Sequence, residues 1–263
     1  MEHVRTDARV GGVRRRHWVA ACVRIAVRSG PVPAPAPVDE SKAIAFVEKV
    51  GGKVTRDEKR PGKPVIGVTL KQTHIADASL KELATLRHLR TLDLSGTQIT
   101  DAGIKELAAF GELTELTLMA CPGIADAAGK PLAALTSLTT LELCDTPVTD
   151  AVLKDLTALK NLTYLGLCAT KVKGAKVKEL SAIKGLKTLV LSRTLVADAG
   201  AKELVSLTGV SELLLDESLV TDAGAKELAA LKGLTLLMLR GSKVTKTGVK
   251  DLRTALPDCR IVD

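Results

Sequence analysis

From Val65 onward the apolar residues recur with a period of 24, and a period of that length constrains the fold more than any other feature of this chain. The units open at Val65, Leu89, Leu113, Leu138, Leu162, Leu186, Val210 and Leu234, and only the third step is longer, by one residue near Pro122 and Gly123. In the unit that opens at Leu89, Leu92 and Leu94 alternate as in a strand, with Thr91, Asp93 and Ser95 on its other side. After Asp101, the residues Ile104, Leu107, Ala108 and Phe110 return at helical spacing. One strand and one helix cannot enclose a core by themselves, so each unit must bury its apolar face against its neighbours. The pattern therefore predicts an α/β solenoid. Its eight parallel strands are centred near Val68, Leu92, Leu116, Leu141, Leu165, Leu189, Leu213 and Leu237, in one sheet with helices opposite. Composition agrees: hydrophobic residues make up 46% of the chain but aromatic ones only 2% (Trp18, Phe46, Phe110, Tyr164), so the core is layered from Leu, Val, Ile and Ala.

The spacing L-x-x-L-x-L-x-x-T-x-I, carried by Leu89, Leu92, Leu94, Thr97 and Ile99, resembles the leucine-rich repeat family. The half-unit from Ile99 to Ala108, ITDAGIKELA, is similar to the ribonuclease-inhibitor-like and cysteine-containing subclasses, which carry a helix in every repeat. The resemblance covers about three quarters of the chain. It implies a horseshoe with a concave parallel sheet, convex helices, and protein partners bound mostly on the concave side.

Three columns run through the repeats. The ninth position, where the family commonly has Asn or Cys, reads Thr73, Thr97, Cys121, Thr146, Thr170, Thr194, Ser218 and Ser242. Hydroxyls there can satisfy backbone groups where the chain leaves the strand, so the column is structural and no row of nucleophiles. Asp77, Asp101, Asp126, Asp150, Asp198 and Asp222, interrupted by Gly174, stand just before the helical runs and are expected to cap helix N-termini. No second carboxylate recurs beside them to build a calcium cage. An unbroken lysine column from Lys81 to Lys250 lies next to an almost unbroken acidic one and reads as a solvated convex face. In the irregular third unit, Pro131 is expected to delay or shorten the helix.

Before the repeats, residues 1–38 have no periodic apolar face and end in the proline-alanine run GPVPAPAP; they are expected to form a disordered basic tail and linker. His17 to Val27 invites reading as a signal peptide behind Arg14, Arg15 and Arg16, but Arg24 interrupts it, and the cytoplasm is favoured on that ground. Residues 39–64 are expected to supply a terminal cap, with Ala43, Phe46, Val47 and Val50 on one helical face, a stop at Gly51 and Gly52, and a short strand from Lys53. The eight repeats then occupy 65–258, and residues 259–263 are expected to close the array as a cap strand.

The formal charge of +8 suggests an anionic partner until it is divided along the chain. Residues 1–64 hold 14 Lys and Arg against 7 Asp and Glu, whereas the remainder hold 24 against 23. A nucleic-acid partner is therefore not expected of the repeats, and anionic-polymer binding would rest on the tail alone. Cys22, Cys121, Cys144, Cys168 and Cys259 are odd in number without a CxxC pair, which argues for free thiols over a disulfide framework or a zinc site. The histidines, His3, His17, His74 and His88, form no triad with a nucleophile, and no phosphate-cradling glycine loop occurs. The chain reads as non-enzymatic, without cofactor or metal, without a membrane span, and monomeric. Binding information can be written at the outward strand positions, where Tyr164, Val190, Leu214, Leu236 and Met238 are expected to form an exposed apolar patch flanked by Glu142 and Glu212. The alternative, a recognition subunit of the ubiquitin-ligase adaptor type, would need a separate docking domain, for which residues 39–64 are too short.

Overall fold

The 24-residue period becomes a ladder of strands in strict sequence order. The structure, a computed structural model, describes residues 39–263; the expectations for the tail and linker lie outside the described residues. A helix, α1 (Ser41–Lys49), leads into β1 (Lys53–Arg56). The repeats contribute β2 (Val65–Thr69), β3 (Thr91–Asp93), β4 (Glu115–Thr117), β5 (Thr140–Glu142), β6 (Tyr164–Gly166), β7 (Thr188–Val190), β8 (Glu212–Leu214) and β9 (Leu236–Met238), and β10 (Arg260–Val262) ends the array. All ten lie in one sheet in the order β1 to β10. β1 pairs antiparallel with β2, and every later pair is parallel and in register, so Leu92 faces Leu116, Leu165 faces Leu189 and Leu213 faces Leu237. Each expected strand centre falls inside its strand.

Across the core from the sheet lie the helical segments. Leu80, Leu107, Leu132, Leu156, Leu180, Leu204, Leu228 and Leu252 project from them into the layer formed by Leu92, Leu116, Leu141, Leu165, Leu189, Leu213 and Leu237, all buried. The convex side is not uniformly α-helical. Asp77–Leu83, Gly103–Ala109, Asp126–Ala128 and Val177–Ala182 are 3-10 helices, whereas α2 (Gly129–Ala133), α3 (Asp150–Leu156), α4 (Asp198–Leu204), α5 (Asp222–Leu228) and α6 (Lys246–Ala255) are α-helices. A segment of about seven residues gains few α-type bonds, so the tighter helix competes well within it. In the third unit α2 begins late, at Gly129 behind a short 3-10 turn, with Pro131 in its first turn, where a missing N–H costs no intrahelical bond.

The hydroxyl column does the backbone work expected of it at its threonines and Cys121 but not at Ser218, whose buried Oγ has no hydrogen-bond partner among the described residues. The Oγ1 atoms of Thr73, Thr97, Thr146, Thr170 and Thr194 each donate to the leucine carbonyl three residues back at 2.6 or 2.7 Å, and the Cys121 thiol donates to the Leu94 carbonyl at 3.1 Å. The aspartate column corrects the sequence reading. Its carboxylates do not cap their own helices; they reach forward to the next repeat. Asp77 accepts from the backbone N–H and the hydroxyl of Thr100, Asp126 does the same with Thr149, Asp198 with Thr221 and Asp222 with Thr245, at 2.7–2.8 Å throughout. The caps are the threonines so held: Thr149, Thr221 and Thr245 accept from N–H groups at the starts of α3, α5 and α6. This contact also explains the glycine that follows Asp-Ala in the motif. A Cβ on Gly103, Gly224 or Gly248 would run into the carboxylate of the preceding repeat's Asp77, Asp198 or Asp222.

The aspartate staple should be measurable at Asp198, which also accepts from the Gly224 N–H at 3.1 Å. Burial pushes the Asp198 carboxyl up, but the hydrogen bonds from Thr221 and Gly224 outweigh it and hold the group below its ordinary value. Asp198→Ala is expected to cost about 1–3 kcal/mol, since it leaves two backbone N–H groups and a hydroxyl without their acceptor. Because the folded-state value is depressed, the contribution is complete above the unfolded aspartate's range and disappears as pH falls through the folded value. Denaturant titrations at neutral and acid pH check both points: Asp198→Asn should flatten part of the acid dependence, and an unchanged acid slope would remove Asp198 from it.

Candidate functional site

Strand alternation turns Leu92 and its equivalents inward and leaves their neighbours on the opposite face of the sheet. Register then assembles rows across that face. Glu142 stands beside Gly166, Gly166 beside Val190, Val190 beside Leu214, and Leu214 beside Met238. Tyr164, Thr188, Glu212 and Leu236 form the parallel row one step earlier. The seven residues singled out in the sequence thus share one face, on five adjacent strands from β5 to β9.

Their exposure is less even than alternation implies. Tyr164, Leu214, Leu236 and Met238 are half-buried, and Val190 is only 8% exposed. Val190 therefore corrects the expectation of an exposed side chain. Its short branched side chain stands in register beside the longer Leu214, so its methyls sit low on the face. The most exposed large apolar side chains lie elsewhere: Leu195 (45%), Leu219 (40%) and Met119 (38%). Leu195 and Leu219 occupy the position after the hydroxyl column, where other repeats carry His74, Gln98 or Lys171. Two leucines in a column otherwise made of polar residues and prolines were a readable signal.

The electrostatics of the face centre on Glu142. Its Oε2 is buried without a hydrogen-bond partner among the described residues. Burial pushes its carboxyl above the usual range, and the Tyr164 hydroxyl offsets only part of that rise. The Tyr164 hydroxyl is in turn pushed up by burial and by the neighbouring carboxylate. Gly166 makes the arrangement possible, because a Cβ at that position would collide with the Glu142 carboxylate. Glu212 is better provided for, accepting from the Thr188 hydroxyl at 2.9 Å.

Cysteine chemistry on this face also differs from expectation. Cys144 and Cys168, one repeat apart, are joined in a disulfide with their Cα atoms 4.5 Å apart, while Cys121 and Cys259 are free and buried. Equal positions in successive repeats become lateral neighbours in a parallel sheet, within bridging distance. A search for CxxC spacing cannot see a pair formed that way. Among the described residues, no group of three or more His, Cys, Asp or Glu side chains could hold a metal ion, and no helix is long and apolar enough to cross a membrane.

One in-register parallel strand per 24 residues, a hydroxyl ladder at each strand exit and helical segments opposite decide the architecture. The chain folds as a leucine-rich-repeat solenoid. The family model for the leucine-rich repeat matches residues 85–108, the length of one unit. Among solved structures, the solenoid is similar to internalin C2 from Listeria monocytogenes, with a TM-score of 0.60, 22% identity, and coverage of 86% of this chain and 93% of that one. It is also similar to a leucine-rich-repeat protein of Leptospira interrogans, with a TM-score of 0.53 and 27% identity over 70% of this chain, which spans 45% of that protein. No curated protein matches by sequence. Solenoids of this kind present an extended concave surface whose outward positions are free of packing duty, which suits them to hold other proteins.

Proposed function

We propose that this solenoid is a non-enzymatic interaction module that binds a protein partner on the concave sheet face, through Tyr164, Leu214, Leu236 and Met238, with Val190 at the base of the patch and Glu142 and Glu212 beside it. The observation that carries the reading is the row Val190, Leu214, Met238, aligned by register across β7, β8 and β9 with its apolar side chains turned away from the core. Apolar side chains gathered on an otherwise polar sheet face add little to folding and supply the desolvated centre an interface requires. The module acts as a monomer and needs no cofactor. The Cys144–Cys168 bridge favours an oxidising compartment over the cytoplasm.

Leu214→Lys combined with Met238→Lys is the test. Capture of a partner from the native lysate should be lost, by about thirtyfold or more in affinity, because truncating even one central apolar anchor can cost ~2 kcal/mol or more. The circular-dichroism spectrum and melting temperature should stay close to the parent's, since neither side chain points into the core. Lys105→Ala with Lys202→Ala, on the convex side, should leave capture nearly unchanged. Loss of capture in the convex pair with none in the concave pair would move the site to the helices.

A further inference from the structure

The Cys144–Cys168 bridge lies in a row that runs Met119, Cys144, Cys168, Ser192, Asp216 and Arg240, one residue from each repeat, two places past each strand. Its two sulfurs are not equivalent. Cys144 is only 3% exposed, whereas Cys168 is half-buried. The backbone N–H of Cys168 donates to Cys144 Sγ at 2.9 Å. Further along the same row, the Arg240 N–H donates in the same way to Asp216 Oδ1 at 2.8 Å. A slot that takes a carboxylate in one repeat suits a thiolate in another, because a backbone N–H bonds more strongly to an ionised acceptor. The approaches to the two sulfurs differ as well. A thiolate attacks a disulfide in line with the S–S bond, from the side away from the sulfur that leaves. The row places the long side chain of Met119 on that path to Cys144, and only the small Ser192 on the path to Cys168. The buried Ser192 hydroxyl has no hydrogen-bond partner among the described residues.

We propose that Cys168 is a thiol-exchange site, at which a low-molecular-weight thiol becomes joined to the chain as a mixed disulfide. The incoming thiolate forms a new S–S bond to Cys168 Sγ as the Cys144–Cys168 bond breaks, and the bonding pair leaves with Cys144 as a thiolate. One disulfide replaces another, so this step needs no oxidant or reductant. The Cys168 N–H already bonded to Cys144 Sγ offsets the cost of a thiolate in a buried place. A second molecule of the thiol then attacks the small-molecule sulfur of the adduct, departs with it as a disulfide, and leaves Cys168 as a thiolate. The site is independent of the concave-face reading, since it requires only the bridge and its neighbours in the row.

The native full chain, incubated with reduced glutathione, acid-quenched at intervals, capped with N-ethylmaleimide and mapped by mass spectrometry, tests the assignment. The first adduct should carry glutathione on Cys168 and the maleimide on Cys144, exceeding the converse labelling about tenfold or more. Ser192→Met puts on the path to Cys168 the side chain that stands on the path to Cys144. It should slow opening about tenfold, with a melting temperature near the parent's as the check on folding. Equal or reversed labelling of the two cysteines overturns the proposal. So does a bridge that stays closed in the native chain while the same glutathione opens it in urea. An opening rate unchanged in a folded Ser192→Met variant overturns the approach over Ser192, and with it the choice of Cys168.

Discussion

A chain lacking residues 39–64 is expected to lose about 5 kcal/mol or more of stability and to fray from its N-terminal repeat. In an array held by nearest-neighbour contacts, an unprotected end leaves one layer of core in water. Here that layer is covered by Ala43 and Val47 of α1, both fully buried, with Ile44, Phe46 and Val50 packed against the same cluster. β1 satisfies the free edge of β2 by antiparallel pairing, and the Glu40 carboxylate accepts from the Val65 N–H at 2.9 Å. Removing the segment uncovers Val65, Val68 and Leu70, and each aliphatic side chain returned to water costs ~1.5–3 kcal/mol. Deleting residues 1–38 alone should change little, since that segment has no periodic apolar face and ends in the proline-alanine run. Thermal and urea melts of the two truncations, beside the full chain, make the comparison. Equal losses would show that 39–64 does not act as a cap.

Opening the Cys144–Cys168 bridge is the second large effect, expected at about 3 kcal/mol. The bridge spans 24 residues, and closing a loop of that length removes about that much conformational freedom from the unfolded chain. Cys144→Ser with Cys168→Ser should therefore melt lower than the parent under oxidising conditions. A dithiol reductant should bring the parent down to the level of the variant and leave the variant unmoved. Identical melts of the parent with and without reductant would mean that the bridge contributes nothing to stability.

Much of this protein was legible in its sequence, because a strict period leaves few alternatives. The recurrence of Leu89, Leu92 and Leu94 at steps of 24 determined the strand centres, their parallel order and the single sheet. Pro131 announced the late start of α2, and the column from Thr73 to Thr194 announced its hydroxyl bonds to the backbone. These features depend on residues within one repeat, where periodicity and steric rules act. Tertiary structure alone decided what passes between repeats. Asp198 reads as a helix cap in one dimension and acts as a staple to Thr221 in three, since its partner is 23 residues away in sequence and adjacent only after stacking. The 24-residue period already sets Cys144 beside Cys168, but that they are bridged and not free thiols was decided only in three dimensions. Val190 loses its exposure, and Glu142 finds room over Gly166, because the height of each side chain on the concave face depends on what the neighbouring strand presents. Lateral contacts of that kind are set by the stacking of repeats, and no pattern along a single strand contains them.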